Sequence, residues 1–204
     1  MDKGTPALSS RVPEYLDLLN TTSEHLVTFS PFFINQMSVE LITSMVVLRK
    51  LRILYICVGR PHIFVQKILS NRGINIRDIH FMDMVLYVCR QGSKGKLPQL
   101  TVPYSADPLE LPTVFKLYRV DQELDQLSLG DIDLIVLDNI SELRTYNSDQ
   151  QIRTFLGLLH EMSRRLNKGL ILLHLDNRPN DGMKELAEEL GMGTLTIPPQ
   201  AFSR

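Results

Sequence analysis

The residues best placed to do chemistry sit where apolar runs give way to polar ones. Six such places carry acids, hydroxyls or arginines: residues 30–38, Gly59-Arg60-Pro61, Asp83, Ser105-Ala106-Asp107, Asp138-Asn139-Ile140-Ser141 and Asp176-Asn177-Arg178. Such a set could hold a phosphate compound, or Mg²⁺ on Asp138 through water. It is also what strand ends look like in general, because the chain surfaces there. His174 and Asp176 fall on one side of an alternating run and could do acid–base work, but no G-x-S-x-G turn accompanies them. No G-x-G-x-x-G follows an apolar run, so a dinucleotide site has no support. His25, His62, His80, His160 and His174 are scattered, and the 2 cysteines, Cys57 and Cys89, form no C-x-x-C. A metal site is therefore not expected. Cys57, inside an apolar run, reads as a buried free thiol. Arg153, Arg164, Arg165 and Lys168 read as the solvated face of a long helix.

These residues must be positioned by elements that the rest of the sequence specifies. The chain has 204 residues, with 22 Lys+Arg against 23 Asp+Glu and a formal net charge of −1. That length can bury a full core, and 44% hydrophobic residues are enough to build one. The balanced charge argues against a nucleic-acid partner that needs a strong positive field. The first ten residues lack the apolar stretch of a signal peptide, and the longest apolar region, residues 32–48, is broken by Asn35, Gln36 and Glu40. A cytoplasmic protein with no membrane association is expected.

The pattern predicts a short helix over residues 12–20, a strand over 25–29, a helix over 35–50 and a strand over 52–58. A helix over 62–71 and a strand over 79–82 follow. Further strands at 85–90 and 100–104, a basic loop at 91–96 and a helix at 109–127 fill the middle of the chain. The strongest signals come last: an apolar strand framed by acids at 131–138, then an amphipathic helix over 148–167. Ser148 and Gln151 have the spacing of a capping box. Strands at 169–175 and 195–197 flank a helix at 181–190. Strands alternating with helices imply an α/β fold, a three-layer α/β/α sandwich around a mostly parallel sheet. Residues 1–24 are expected to form a tail with a short helix, and residues 25–204 a single domain. In such a sheet a ligand sits at the carboxyl ends of the strands, where the six polar places would gather.

Several of these segments carry a resemblance. Residues 26–50 (strand, loop, helix), Leu54-Tyr55-Ile56, and Leu134-Ile135-Val136-Leu137-Asp138-Asn139-Ile140-Ser141 resemble the RecA/KaiC-like branch of the P-loop ATPases. The last segment looks like that branch's Walker B strand. Arg60-Pro61-His62, Gly73-Ile74-Asn75, Ile79-His80-Phe81-Met82-Asp83 and Tyr146-Asn147 are similar to archaeal KaiC-like proteins. The likeness covers residues 25–197 and implies a RecA-like sheet.

The departures bear directly on function. A P-loop, G-x-x-x-x-G-K-[ST], wraps phosphate in backbone N–H groups and supplies a lysine and a Mg²⁺-binding hydroxyl. Here Asn35-Gln36-Met37 stands where Gly-Lys-[ST] would, and Pro31, Phe32 and Phe33 would crowd a phosphate cradle. Gly59-Arg60 stands where the branch carries a catalytic glutamate. The resemblance thus implies a RecA-like domain with a degenerate Walker A motif, no catalytic residues and no resident cofactor. Such a domain would act as a regulator or adaptor through protein contacts, as a homo-oligomer or with an active ATPase. The alternative is a divergent nucleotide-binding protein or weak ATPase. It would take ATP and magnesium through Asn35, Gln36, Ser38 and Asp138, with the helix N-terminus drawing the anion. Asp138 itself is either a Walker B remnant that meets a metal or an acid hydrogen-bonded within the edge.

Overall fold

The structure is a computed structural model that describes residues 10–83, 131–145, 147–176 and 182–203. The strands and helix expected between residues 85 and 127, and Ser105 to Asp107, Tyr146, Asn177 and Arg178 among the polar residues, lie outside the described residues.

Six strands form one sheet: β1 (Glu24–Phe29), β2 (Ile53–Cys57), β3 (Ile79–Asp83), β4 (Leu134–Asp138), β5 (Gly169–Leu175) and β6 (Gly193–Ile197). Their order is β3-β2-β4-β5-β1-β6, and every pairing is parallel. The three central apolar runs, β2, β4 and β5, are buried at every residue. This is why they read as continuous apolar stretches and not as alternating ones: a parallel sheet is covered on both faces. The period of two then sorts their side chains. Leu54 and Ile56 join one core with Ile135, Leu137, Leu170 and Leu172, whereas Ile53, Tyr55 and Cys57 join the other with Leu134, Val136, Ile171 and Leu173.

Helices cover both faces. On one lie α1 (Val12–Leu16), α2 (Ile34–Ile42) and α3 (His62–Asn71); on the other lie α4 (Asp149–Arg165) and α5 (Met183–Glu189). Ile152, Phe155, Leu156, Leu159 and Met162 form the stripe by which α4 meets the sheet. The capping box at its start is present: the Ser148 hydroxyl accepts from the Gln151 amide, and the Gln151 side chain accepts from the Ser148 amide. Such a cap contributes about 1 kcal/mol.

Several boundaries differ from the sequence expectation for identifiable reasons. The first helix stops at Leu16, where Arg49 donates to the Leu16 and Leu19 carbonyls at 2.9 Å each and so holds the chain in a turn. The strand expected over 131–138 begins only at Leu134, because the Asp133 carboxylate accepts from the Arg52 amide at 2.8 Å. The helix expected over 35–50 is longer and irregular. A 3₁₀ turn, Pro31–Phe33, leads into α2, and α2 continues as a π-helix over Thr43–Leu48. The wider turn ends on the Arg49 amide donating to the Ser44 carbonyl, and Lys50 then takes a left-handed φ of 59°. Pro31–Leu48 is apolar and long enough to cross a membrane by composition, but half of it is buried inside the fold. Met37, Leu41, Ile42 and Met45 are its core face.

Candidate functional site

The chain crosses the sheet in two opposite directions from neighbouring strands. From β1 it passes over β5 and β4 to β2, and from β5 it passes over β1 to β6 on the other face. The carboxyl ends of β1, β5 and β4 therefore border a crevice at a switch point, where open α/β sheets take ligands. Into this crevice the fold brings Asn35 and Ser38 from the start of α2, Tyr55 from β2, Arg60 from the turn after β2, and Asp138 from the end of β4. Cys57 and Asp138 are register partners, so the turn that carries Arg60 leaves the sheet beside the acid.

The Arg60 guanidinium occupies the centre of the site. Its Nη2 donates to Asp138 Oδ2 at 2.7 Å and to Ser38 Oγ at 2.7 Å, and lies 3.5 Å from the Tyr55 hydroxyl. Its Nη1 donates to Asn35 Oδ1 at 2.6 Å. The Tyr55 hydroxyl donates to Ser38 Oγ at 3.1 Å, and Ser38 in turn donates to the Ile34 carbonyl at 2.9 Å. The Asp138 side chain is fully buried and that of Arg60 is 12% exposed. Asp138 Oδ1 and Arg60 Nε have no hydrogen-bond partner among the described residues. Gly59 permits the close turn: a Cβ there would lie 2.9 Å from both Asn139 Nδ2 and Glu142 Cγ.

Electrostatics follow from this enclosure. Burial pushes the Asp138 carboxyl above its ordinary range, and the Arg60 charge and hydrogen bond pull it back part of the way. Burial also pushes the Tyr55 phenol well above 10, helped by the Asp138 charge, so Tyr55 stays a neutral donor. Burial works against the Arg60 charge, but Asp138 outweighs it and Arg60 holds its proton more tightly than an exposed arginine does. The site thus joins a carboxyl, two hydroxyls and a side-chain amide around one guanidinium.

Of the four residues expected to bind nucleotide, the structure brings three together. Asn35, Ser38 and Asp138 all meet the Arg60 guanidinium. Gln36 does not join them, since its Nε2 donates to the Phe202 carbonyl at 3.3 Å and ties α2 to the C-terminal 3₁₀ turn. The expectation that Phe32 and Phe33 crowd the crevice is corrected as well. Phe32 is 91% exposed, and Phe33 stacks on Phe202 at a centroid distance of 4.4 Å. The sequence reading counts Arg60 among the polar strand ends but gives it no role, and it misses Tyr55. A signal was present for Arg60, a cation directly after a strand that the pattern could pair with the strand ending in Asp138. Nothing in the sequence points to Tyr55, which reads as ordinary core. Of the His174–Asp176 pair, His174 is buried, its Nδ1 lying 3.3 Å from Thr28 Oγ1, and Asp176 is exposed past the strand end. Among the described residues no group of three or more His, Cys, Asp or Glu side chains could hold a metal ion.

Comparison with known proteins places the fold. No family model matches the chain, and no curated protein matches it. Solved structures do match, 167 chains in all. One is a KaiC-like protein from the hyperthermophilic archaeon Pyrococcus horikoshii OT3, with a TM-score of 0.57 and 10% sequence identity over 88% of this chain and 73% of that one. At this identity the likeness establishes the fold alone. The chain is an α/β protein with a parallel sheet of the RecA/KaiC type.

Proposed function

We propose that this protein is a RecA/KaiC-like domain without ATPase activity, acting in the cytoplasm as a regulatory or adaptor protein through contacts with other proteins. The observation that carries the reading is the Arg60 guanidinium bonded to Asp138, Ser38 and Asn35. In an ATPase of the resembling branch, the corresponding acid and a hydroxyl at the position of Met37 serve a Mg²⁺ ion, and a lysine reaches the outer phosphates; Ser38 is the next residue along. Here one internal arginine takes the acid and the Ser38 hydroxyl for itself. A divalent ion would have to displace a buried guanidinium, and a phosphate would meet neither lysine nor glycine loop. On this reading Asn35-Gln36-Met37 is a degenerate Walker A segment and Asp138 a Walker B remnant that now serves the fold.

The same edge supports a role in protein contact. Phe32 is 91% exposed, and Ile63 and Phe64 in the first turn of α3 are 56% and 47% exposed. The Arg60–Asn35 bond ties the turn before α3 to the start of α2, just after Phe32. Exposed aromatic and aliphatic side chains on neighbouring turns fit a protein partner better than solvent. That partner is a second copy of the chain or an active ATPase of the same fold.

Two measurements test the proposal. Mg-ATP is expected to leave the melting temperature unchanged and to show no sustained hydrolysis. A ligand at about 100 times its Kd would add roughly 2.7 kcal/mol of stability, an easily read shift. Turnover, or a shift that Asp138→Asn abolishes, would favour the nucleotide-binding alternative. Sedimentation with and without a KaiC-like partner tests the contact surface. Phe32→Ser combined with Phe64→Ser should remove the association and leave the melt unchanged; an association that survives both substitutions would put the interface elsewhere.

A further inference from the structure

The amino-terminal edge of the sheet, opposite the Arg60 cluster, carries an open cleft of about 690 Å³. That volume lies in the range of small-molecule sites. The entry to β1, the last turn of α4 and the turn into β6 wall it. Its floor is a polar cluster. The buried Ser163 hydroxyl donates to one oxygen of Glu24, and His160 Nδ1 lies 2.7 Å from the other. Glu24 is the one carboxylate among the described residues lining the cleft, and one of its oxygens accepts from Ser163.

The remaining polar groups are mostly donors. His25 Nε2 lies 3.1 Å from the Asn20 carbonyl, which can only accept, so that nitrogen carries the proton and donates to Asn20, and in the neutral ring Nδ1 is an acceptor. Gly193 makes room for the ring: a Cβ there would lie 2.7 Å from His25 Nδ1. Arg164, Asn167 and Lys168 also line the cleft. They follow the end of α4, whose last carbonyls would repel an anion if left open. Three of those carbonyls are taken: Met162 accepts from the Leu166 amide, Ser163 from the Lys168 amide and Arg164 from the Asn167 amide. What lines the cleft is therefore two permanent cations and a side-chain amide, against one carboxylate that accepts from Ser163.

We propose that this cleft binds a small, multiply charged organic anion, with Arg164 and Lys168 as its principal contacts. The complement of a donor-rich, cation-rich cleft is a ligand that carries acceptors and negative charge, in phosphate or carboxylate groups. The cations that the sequence alone presents as a solvated helix face thus acquire a second role. This site is independent of the Arg60 cluster, and its failure would leave the reading of that cluster intact.

Calorimetric titration of the full chain with pyrophosphate, and separately with citrate, tests the proposal at ionic strength held constant with chloride. At least one probe should bind saturably with a Kd of about 1 mM or tighter. Which of the two binds decides between phosphate and carboxylate chemistry. Arg164→Ser combined with Lys168→Ser should weaken that binding roughly tenfold or more, with the melting temperature unchanged. The His25 ring signals should move during an NMR titration of the parent protein. Absence of saturable binding by either probe, equal binding by the double variant, or shifts confined to the opposite edge of the sheet would each overturn it.

Discussion

Replacing Arg60 by alanine should lower folding stability by about 3–5 kcal/mol at neutral pH, the usual consequence of removing one partner from a buried ion pair. Asp138 is fully buried, and Arg60 supplies the charge that compensates its carboxylate, through a hydrogen bond of 2.7 Å. Without the guanidinium the acid must either hold an uncompensated charge away from water or take up a proton. The second route makes the loss depend on pH, and the sign can be worked out. The Asp138 carboxyl is already raised above its ordinary 3.8 by burial, with Arg60 pulling it down. Removing Arg60 raises it further. A group raised in the folded state contributes stability below its unfolded value and loses that contribution as pH climbs through the folded value. The deficit of Arg60→Ala should therefore be small near about pH 4 and grow toward about pH 8, as Asp138 is forced to ionise. Urea titrations at several pH values, read at constant slope, check both the size and the direction. A deficit that stays constant with pH would mean that Arg60 contributes through packing and not through its charge.

How much of this was legible in the sequence follows from what each pattern encodes. Periodicity and punctuation by turn residues report element positions, and two elements were found with their bounds unchanged. The α3 bounds, His62–Asn71, and the β5 bounds, Gly169–Leu175, are those expected. Propensity alone does not report tertiary hydrogen bonds, and those set the boundaries that shifted. Arg49 ends α1 by reaching across to its carbonyls, and the Asp133 side chain meets the Arg52 amide just ahead of β4. The π-helical continuation of α2 has no sequence signature here, because Thr43–Leu48 is as apolar and periodic as a regular helix. At the site, the missing lysine and glycines were visible as absences. What took their place was not. An arginine after a strand is a common residue, and only the register of β2 against β4 turns it toward Asp138. The inward face of Tyr55 and the outward face of Phe32 likewise depend on which side of a layer each occupies, which one sequence does not fix.

Replacing both members of the pair should have the opposite effect from replacing one. Arg60→Met with Asp138→Leu removes two charges and their desolvation cost together, and such exchanges are neutral or stabilising by about 1–4 kcal/mol. The local network permits it. Ser38 keeps its bond to the Ile34 carbonyl and still accepts from Tyr55, so neither hydroxyl is left buried without a partner. Asn35 loses its contact with Arg60 but is exposed and can turn to water. The double variant should therefore regain all that Arg60→Ala loses, and its stability should lack the pH dependence of that single variant. Chemical denaturation of the parent, both singles and the double forms a closed cycle whose coupling energy measures the pair. A double variant no more stable than Arg60→Ala would show that the charges hold the turn in a geometry that packing cannot reproduce. The comparison also bears on function. If the apolar pair folds well and still binds its protein partner, the ion pair is what fills a vacated site, and the working surface is the exposed rim around it. If the variant folds well and loses its partner, the charged cluster itself is part of what the partner recognises.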